Sequence, residues 1–408
     1  MSEVLADETQ RVRPAVPVLD AAGAVAAAQR LGRQFAEGAS RRDAERILPR
    51  AEVRALADSG LLAITVPARF GGAGLGVEVL AEVVRLVSVG DSNLGQIPQS
   101  HFAYVNALRL AATEEQQEAF FADVLHGAVI GNAQSETGTK HVRDIRTTLR
   151  PDPDGDWLLD GVKGYATGAL YADWIPVLAH LGEDGPLHVA WVRGDDTGVE
   201  VVDDWGGLGQ RTTASGTVRL SGVRVPGQRI TGYHETFDGR PQTYGSFAQT
   251  LHAAIDAGIA RAALEEAARF VTTYSRPHPD AGVERHADDP LVVQTFGELE
   301  LSVRAGEALL AVAARAVDAA DADLTQESAA AASLALAAAR VATSRAAVDA
   351  ANRLFEVSGT RSAAARLNLD RHWRNARTHT LHDPAAWKVQ HLGRWAVDGT
   401  FPPSSGQI

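Results

Sequence analysis

The feature that most restricts the fold of this chain is a double change in the spacing of its apolar residues. Up to about residue 127 they recur every three or four positions, as in GVEVLAEVVRLVSVG (76–90), which is typical of amphipathic helices. Between about 128 and 236 they alternate in short runs separated by turns such as Pro-Asp-Gly, which is typical of antiparallel strands. Helical spacing then returns in longer segments. We therefore predict a β domain between two helical domains.

The same changes of pattern set the predicted domain boundaries. We expect an N-terminal helical domain over 20–127, a middle β domain over 128–236, a helical bundle over 237–400 and a tail over 401–408. The last helical region is rich in small residues, and long helices of this kind pack closely in bundles. The predicted class is mainly α with one antiparallel β domain.

Composition excludes several functions. The chain has 51 acidic and 39 basic residues and a formal charge of -12, so a nucleic-acid partner is not expected. It has no cysteine, which rules out disulfides, thiolate metal sites and cysteine nucleophiles. No apolar run is long enough to span a membrane, and the first residues do not resemble a signal peptide. We expect a cytoplasmic protein that acts on a small molecule.

One short stretch concentrates reactive side chains. In RNARTHTLHDPAAWK (374–388), His379, His382 and Asp383 lie close together beside several basic residues. A metal site, an acid/base site and a solvated helix end are all compatible with this pattern. A third imidazole at a suitable spacing is missing and Pro384 is expected to end the helix, which argues against a metal. The residues alone favour a helix end, because cations are stabilised near the C-terminus of a helix.

Four stretches resemble one family in their order along the chain. They are LLAITVPARFGGAGLG (61–76), NAQSETG (132–138), KGYATG (163–168) and RNARTHTLHDP (374–384), and similar stretches occur in this order in the acyl-CoA dehydrogenase family. The resemblance extends from about residue 21 to 399. It implies the acyl-CoA dehydrogenase fold, with an N-terminal helical domain, a middle antiparallel β domain and a C-terminal four-helix bundle.

The chain departs from that family where a dehydrogenase carries its catalytic base. A typical dehydrogenase has Tyr-Glu-Gly-Thr, whereas this chain has His-Asp-Pro-Ala at 382–385. The side chain of Asp383 is one methylene shorter than that of Glu, and a general base must first reach its proton. Pro384 also has a fixed φ and no backbone donor. Asp383 is therefore predicted to be a poor dehydrogenase base.

With TYSRPHP (273–279) and LFEVSGTR (354–361), this C-terminal region resembles the reduced-flavin-dependent monooxygenases of sulfur acquisition, the dibenzothiophene monooxygenase type. The resemblance implies a two-component enzyme that receives reduced FMN from a separate NAD(P)H:flavin reductase. It also implies activation of O2 as a C4a-(hydro)peroxyflavin that oxygenates a small organic substrate, with organosulfur compounds favoured. The atom oxygenated, whether S, N or C, is left open.

The resemblance also implies roles for individual residues. His382, Asn132 and Thr167 are the predicted catalytic residues, and no metal is predicted. His101 and Tyr104 are predicted to border the substrate. The predicted cofactor-binding residues are Asn132, Ser135, Tyr165, Thr167, Arg276, Ser358, Gly359, Arg361 and His382. No adenine-binding signature is present in the 358–361 turn, which makes FAD less favoured than FMN. Arg276 corresponds to a residue that reaches the flavin phosphate across a subunit interface, and a homotetramer is expected.

Two alternatives remain. The first is an FAD-dependent acyl-CoA dehydrogenase that uses Asp383 as its base, and the second is a catalytically silent member of the fold. GGAGLG (71–76) lies between two helical segments and does not follow a strand, so it is not a dinucleotide-binding turn. The expected enzyme would thus depend on another protein to reduce its flavin.

Overall fold

A computed structural model describes residues 13–406. The N-terminal part is helical, and its helices are α1 Ala21–Glu45, α2 Arg50–Asp58, α3 Val77–Gly90, α4 Ser92–Gln96, α5 Gln99–Ala111 and α6 Glu114–Leu125. Side chains define where they begin: the Asp20 carboxylate accepts from the backbone N–H of Gly23, and Thr113 and Gln116 form a reciprocal capping box at α6.

The middle part is one seven-stranded sheet with the order β5-β6-β2-β1-β3-β4-β7. Its strands are β1 Thr148–Pro151, β2 Trp157–Lys163, β3 Ile175–Leu181, β4 Leu187–Val192, β5 Val199–Val202, β6 Thr217–Val225 and β7 Ile230–Gly232. All neighbouring strands pair antiparallel except β1 and β3, which pair in parallel. Alternate residues such as Leu149, Leu159 and Val218 are fully buried, as expected for a sheet packed on one face.

The C-terminal part contains α7 Tyr244–Thr273, α8 Pro290–Ala322, α9 Gln326–Ser358, α10 Asp370–His379 and α11 Ala385–Asp398. The long helices α7, α8 and α9 pack through small residues. At the crossing of α3 and α7, a Cβ on Gly258 would lie 2.4 Å from the Cβ of Ser88, so only glycine permits this approach. None of the described helices is long and apolar enough to cross a membrane.

Helical, β and helical parts follow one another in the predicted order, and the predicted fold class is confirmed. The boundary predicted at 127/128 falls in the connection between α6 and β1, and that at 236/237 falls within a short 3-10 helix, His234–Phe237, between β7 and α7. Both stay predictions. The parallel pairing of β1 with β3 was not predicted.

The helix α10 holds the β domain through the segment 208–210. Asn375 Oδ1 accepts from the backbone N–H of Gln210 at 2.7 Å, and Thr378 Oγ1 accepts from that of Gly209 at 2.9 Å. Arg374 donates to the Leu208 carbonyl at 3.3 Å. These bonds fix the position of the β domain relative to the end of α10.

Gly209→Ala is expected to weaken this contact. A Cβ at position 209 would lie 2.0 Å from the carbonyl oxygen of Arg374, so one of the two backbones must move. We expect the free energy of unfolding in urea to fall by about 1–3 kcal/mol, as for other overpacked sites. Gly206→Ala is the matched control, because a Cβ there meets nothing within 4 Å. Equal urea midpoints for the two variants would show that the contact is not tight.

Candidate active site

Three histidines meet where α10 ends. His379 is the last residue of α10, His382 lies in the turn that follows, and His252 approaches both from α7. His252 Nδ1 is 3.1 Å from His379 Nε2. The His252 and His382 rings are in contact in a tilted arrangement, with centroids 4.0 Å apart and planes inclined by 31°. Pro384 precedes α11 with φ -64°, so the predicted helix break is present.

A buried carboxylate anchors this cluster. Asp256 lies one turn after His252 on α7 and is 0% exposed. Its Oδ1 accepts from His379 Nδ1 at 2.6 Å, and its Oδ2 accepts from Ser344 Oγ at 2.7 Å. The same Oδ2 forms an ion pair with Arg340 of α9, which is 1% exposed. Asp256 thus ties α7, α9 and α10 together at the site.

Two of the histidines are neutral at pH 7. Burial lowers the pKa of His252 well below its usual value, and the charges of nearby cationic groups lower it further. The pKa of His382 is lowered to about 3, first by burial and then by the charge of His379. His382 is, however, an exposed residue, so screening by water reduces this shift. Its direction nevertheless keeps His382 neutral, and no hydrogen bond to its ring nitrogens occurs within residues 13–406.

The β domain contributes a second set of polar groups. The Oδ1 of Asn132 is buried and has no hydrogen-bond partner in the part of the chain that the structure describes. Such an atom is costly unless a ligand or water satisfies it. The Thr167 hydroxyl is 2.7 Å from that of Ser215, which is 2.7 Å from that of Thr213.

The direction of this hydroxyl chain follows from its last partner. Thr213 Oγ1 donates to the carbonyl oxygen of Gln210 at 2.9 Å, since a carbonyl can only accept. Ser215 then donates to Thr213, and Thr167 donates to Ser215. Thr167 therefore has lone pairs free to accept one further hydrogen bond.

The backbone around these groups is unusual. Tyr165, Gln210 and Ala214 adopt φ values of 52°, 50° and 50° although none is glycine. Left-handed conformations of this kind cost free energy and are concentrated at functional sites. The Tyr165 side chain is 58% exposed and meets the edge of Trp205 at 6.2 Å. Ser135 lies beside it, because its carbonyl accepts from the N–H of Gly164 at 2.9 Å.

A buried ion pair fixes the segment 132–138. Glu136 Oε1 accepts from Lys163 Nζ at 2.8 Å and from Thr147 Oγ1 at 2.6 Å, and the Lys163 side chain is 0% exposed. Lys163 also donates to the Gln134 carbonyl at 3.2 Å. The segment that carries Asn132 and Ser135 is thereby attached to β2.

Glu136→Gln should lower stability in a pH-dependent way. Burial would raise the pKa of Glu136, but bonds from Lys163 and Thr147 outweigh it and lower the pKa. A lowered carboxyl pKa stabilises the fold above the unfolded pKa of about 4.3, and this contribution is lost as pH falls through the folded value. We expect a loss of about 1.5–3 kcal/mol at pH 7 that shrinks below pH 4, measured by urea unfolding. A loss of equal size at both pH values would contradict the ionic origin.

The turn at 96–97 joins the two sets of groups. A Cβ on Gly168 would lie 3.2 Å from the Ile97 carbonyl oxygen and 3.8 Å from Gly131 Cα, so the backbone segments that carry Thr167 and Asn132 approach each other beside this turn. On its other side, Gln96 Oε1 is 3.1 Å from His379 Nε2. The structure therefore brings Asn132, Thr167 and the histidine cluster to one region between the β domain and the bundle.

The remaining predicted cofactor residues form a separate group. Ser275 Oγ donates to the Ser358 carbonyl at 3.2 Å and Arg361 donates to that of Tyr274 at 2.8 Å, so the segments 274–276 and 358–361 pack together. Arg276 and Arg361 are exposed. Both segments lie beyond the C-terminal end of α7, roughly 30 Å along this helix from His252 at 1.5 Å per residue. One chain alone does not bring them to His382.

Asp383 is not free to act as a base in this structure. Its carboxylate is 2.5 Å from Lys388 Nζ, and the two residues are 8% and 2% exposed. Asp383 therefore serves the connection between the turn and α11. Among the described residues, no group of three or more His, Asp and Glu side chains could hold a metal ion.

The two predicted substrate residues are buried within the N-terminal domain. His101 is 0% exposed, with Nε2 2.8 Å from the Leu62 carbonyl and Nδ1 accepting from the N–H of Ile130 at 3.0 Å. Tyr104 is 2% exposed, packs edge-on against Trp191, and burial raises its pKa. Both nitrogens of His101 are thus engaged by the backbone. Their role at the substrate stays a prediction.

Comparison with known proteins decides the family. Family models for the acyl-CoA dehydrogenase N-terminal, middle and C-terminal domains match residues 24–128, 132–223 and 250–386. A dibenzothiophene monooxygenase of Rhodococcus qingshengii is 31% identical over 98% of each chain. The chain belongs to the acyl-CoA dehydrogenase family.

Its branch is that of the flavin-dependent monooxygenases. The probable FMNH2-dependent monooxygenase SfnC of Pseudomonas putida is 34% identical over 94% of this chain and 96% of its own. The crystal structure of FMN-bound TdsC from Paenibacillus sp. A11-2 is 32% identical, covers 94% of this chain and all of its own, and superimposes with a TM-score of 0.90. The predicted family and enzyme class are confirmed.

The residues of this acyl-CoA dehydrogenase family member fit a flavin. Asn132 Oδ1 is buried without a partner, the Tyr165 ring is exposed, and the His382 ring has no hydrogen bond within the described residues. A planar polar cofactor would satisfy these groups together. The individual site residues stay predictions, because contact with a cofactor has not been observed for any of them.

Three residues of the site were missed by the sequence analysis. Gln96, His252 and Asp256 contact His379 or His382 from α4 and α7. A signal was present in FAQTLHAAIDAGIA (247–260), where His252 and Asp256 are four residues apart in a largely apolar stretch. Two polar residues on one buried face require partners.

Proposed function

We propose that this protein is a two-component monooxygenase that receives reduced FMN from a separate NAD(P)H:flavin reductase and oxygenates an organosulfur substrate. One observation carries the proposal. His382 presents a neutral imidazole, without a hydrogen-bond partner among the described residues, between the β domain and the bundle, while Asp383 is tied to Lys388.

FMN is the cofactor, as predicted, in agreement with an FMN-bound relative and one called FMNH2-dependent. Bound in its reduced form, the flavin supplies the electrons that activate O2. The residues that would contact its ring system are Asn132, Ser135, Tyr165, Thr167 and His382. Those that would hold its phosphate are Arg276, Ser358, Gly359 and Arg361, where a guanidinium can donate two parallel bonds.

The protein groups have complementary roles. A neutral His382 keeps one N–H and one bare nitrogen, so it can donate a hydrogen bond beside the reacting oxygen or accept a proton there. Thr167 has its proton engaged by Ser215 and can only accept. Asn132 offers an amide with an unsatisfied oxygen. Together they orient the reactants and exclude water, while the redox chemistry belongs to the cofactor.

The dehydrogenase alternative is disfavoured by Asp383. Abstraction of a proton next to a thioester carbonyl needs a carboxylate that reaches the substrate. The Asp383 carboxylate instead lies 2.5 Å from Lys388 Nζ and is 8% exposed. A base in this state would first have to break a buried ion pair.

The need for a reductase is supported by the architecture. The GGAGLG segment 71–76 connects a short 3-10 turn to α3 and does not follow a strand. Within residues 13–406, the sheet offers no strand–helix–strand unit of the kind that binds nicotinamide cofactors. Reduction would occur on another protein, in the cytoplasm where NAD(P)H is available.

A homotetramer is proposed for two reasons. The phosphate-binding candidates around Arg276 lie roughly 30 Å along α7 from His252, farther than one FMN extends, so a second copy would supply them. In addition, α8 and α11 carry exposed apolar side chains, with Leu291 77%, Leu301 71%, Trp387 63% and Val397 85% exposed. Exposed apolar side chains in such number mark association surfaces.

The charges near His382 favour a neutral substrate. Arg340 is paired with Asp256 and Lys388 with Asp383. An anionic substrate would need a cation of its own. We therefore propose a neutral thioether or thiophene rather than a sulfinate anion.

The decisive experiment supplies FMN, NADH and O2 with and without a flavin reductase. We expect sulfoxide from dibenzothiophene only when the reductase is present, and little turnover of an alkanesulfinate. Chemically reduced FMN should replace the reductase. Product from NADH alone would refute the two-component scheme, and bleaching of bound flavin by an acyl-CoA would favour the dehydrogenase.

A further inference from the structure

We infer that His252, held by His379 and Asp256, is a positioning residue for His382. The inference rests on the proposed role of His382 in oxygenation. The His252 ring packs against one face of the His382 ring, while His379 bonds to His252 and Asp256 bonds to His379.

Asp256 sets the protonation pattern. It is ionised, because the charge of Arg340 and the hydrogen bond from His379 lower its pKa despite burial. Its Oδ1 must therefore accept from His379 Nδ1–H, over 2.6 Å. The other nitrogen of His379, Nε2, lies 3.1 Å from His252 Nδ1, and one of these two nitrogens donates to the other. The orientation of His252 is thus fixed from Asp256 through His379.

Gln96 completes the environment of His379. Its Oε1 lies 3.1 Å from the same Nε2. An amide oxygen can only accept, so this bond forms when His379 Nε2 carries a proton. The His379 ring is thus held by contacts to Asp256, His252 and Gln96.

His252 then presents its face to His382. The centroids are 4.0 Å apart and the planes are tilted by 31°. Since neither nitrogen of His382 is hydrogen-bonded within the described residues, this face contact is the main restraint on the rotation of its ring. The ionisable groups that surround His382 lie on four helices and are His252 and Asp256 of α7, Arg340 of α9, His379 of α10 and Lys388 of α11.

Removal of His252 has a chemical consequence that can be measured without a flavin. His252→Ala opens a space beside His382 that water can enter. The pKa of His382 should then move toward the ordinary value of about 6.5. His252→Phe keeps a ring against His382 but cannot bond to His379, and it should preserve most of the effect of the face contact.

The test is modification by diethylpyrocarbonate, which reacts with the unprotonated imidazole, followed by peptide mass spectrometry. In the wild type the rate at His382 should be nearly equal at pH 5.5 and 7.5. In His252→Ala the rate at His382 should be about tenfold lower at pH 5.5 than at pH 7.5, because an imidazole with a pKa near 6.5 is mostly protonated at pH 5.5. His252→Phe should stay near wild type. The exposed His126 is the internal reference for the reagent.

His372→Ala tests whether the loss of any buried histidine changes the reaction of His382 by loosening the structure in general. His372 is a buried histidine of α10, 8% exposed, whose neighbour is Glu266 rather than His382. It should leave the reaction of His382 unchanged. The inference is overturned if His252→Ala behaves like the wild type, or if His372→Ala causes the same tenfold fall.

Measurements of product during turnover distinguish a failure of this inference from a failure of the proposed function. With reductase, FMN and dibenzothiophene, His252→Ala should give about tenfold less sulfoxide per NADH and correspondingly more H2O2, and His252→Phe should recover most of the product. No sulfoxide from the wild type would refute the proposed substrate or function, while the modification rates would still test the contact. An unchanged ratio of product to H2O2 in His252→Ala, with an active wild type, would refute the positioning role.

Discussion

His382→Ala is expected to reduce formation of oxygenated product by at least about 100-fold while reduced FMN continues to be consumed. A positioned group that donates or accepts a proton at the reacting atoms contributes about 10²–10⁴-fold to the rate. His382 is the neutral imidazole available for this role, and no other described side chain hydrogen-bonds to its nitrogens. Without it, O2 is still reduced, but its oxygen leaves as H2O2.

The measurement is the amount of sulfoxide and of H2O2 per NADH oxidised, in the presence of excess reductase. His126→Ala is the matched control, because it removes an exposed histidine of the N-terminal domain. His382→Gln keeps a hydrogen-bonding group and should recover part of the product. A His382→Ala variant that still couples NADH oxidation to sulfoxide would remove His382 from the reaction.

The order of the three parts could be predicted from the sequence because it depends on local spacing. The helical period of GVEVLAEVVRLVSVG and the alternation of residues in β2 and β6 are properties of neighbouring residues. The parallel pairing of β1 with β3 could not be predicted this way. It depends on contacts such as Thr148 with His180, which are distant in the sequence and leave no periodic signal.

The site was predicted only where the resemblance named residues. Asn132, Thr167 and His382 come to one region, whereas Arg276 and Ser358 lie at the other end of α7. His252 was missed because its partner His379 is 127 positions away. In an apolar helix a single histidine has no local mark of function, and only the packing of α7 against α10 gives it one. Charge compensation between Asp256 and Arg340 is equally non-local.

Arg340→Met is expected to destabilise the fold by about 3–5 kcal/mol, the cost of leaving a buried charge without its partner. Arg340 and Asp256 are 1% and 0% exposed, and the hydrogen bonds that remain from Ser344 and His379 do not replace the guanidinium. The free energy of unfolding should be measured in urea at one protein concentration, since association would change it. Arg353→Met is the control on the same helix, because its partner Glu298 is half exposed; such a pair contributes about 0–1 kcal/mol.

Replacing both members separates stability from chemistry. In Asp256→Leu with Arg340→Met no buried charge remains, so most of the lost free energy should return, as in other buried ion pairs replaced by apolar residues. His379 would still lack its acceptor, and His252 would lose the bond that orients it. We therefore expect a stable double variant that releases H2O2 instead of product. If the double variant regains both its stability and its product formation, the ion pair serves only the fold. If it regains neither, Asp256 stabilises the bundle chiefly through His379.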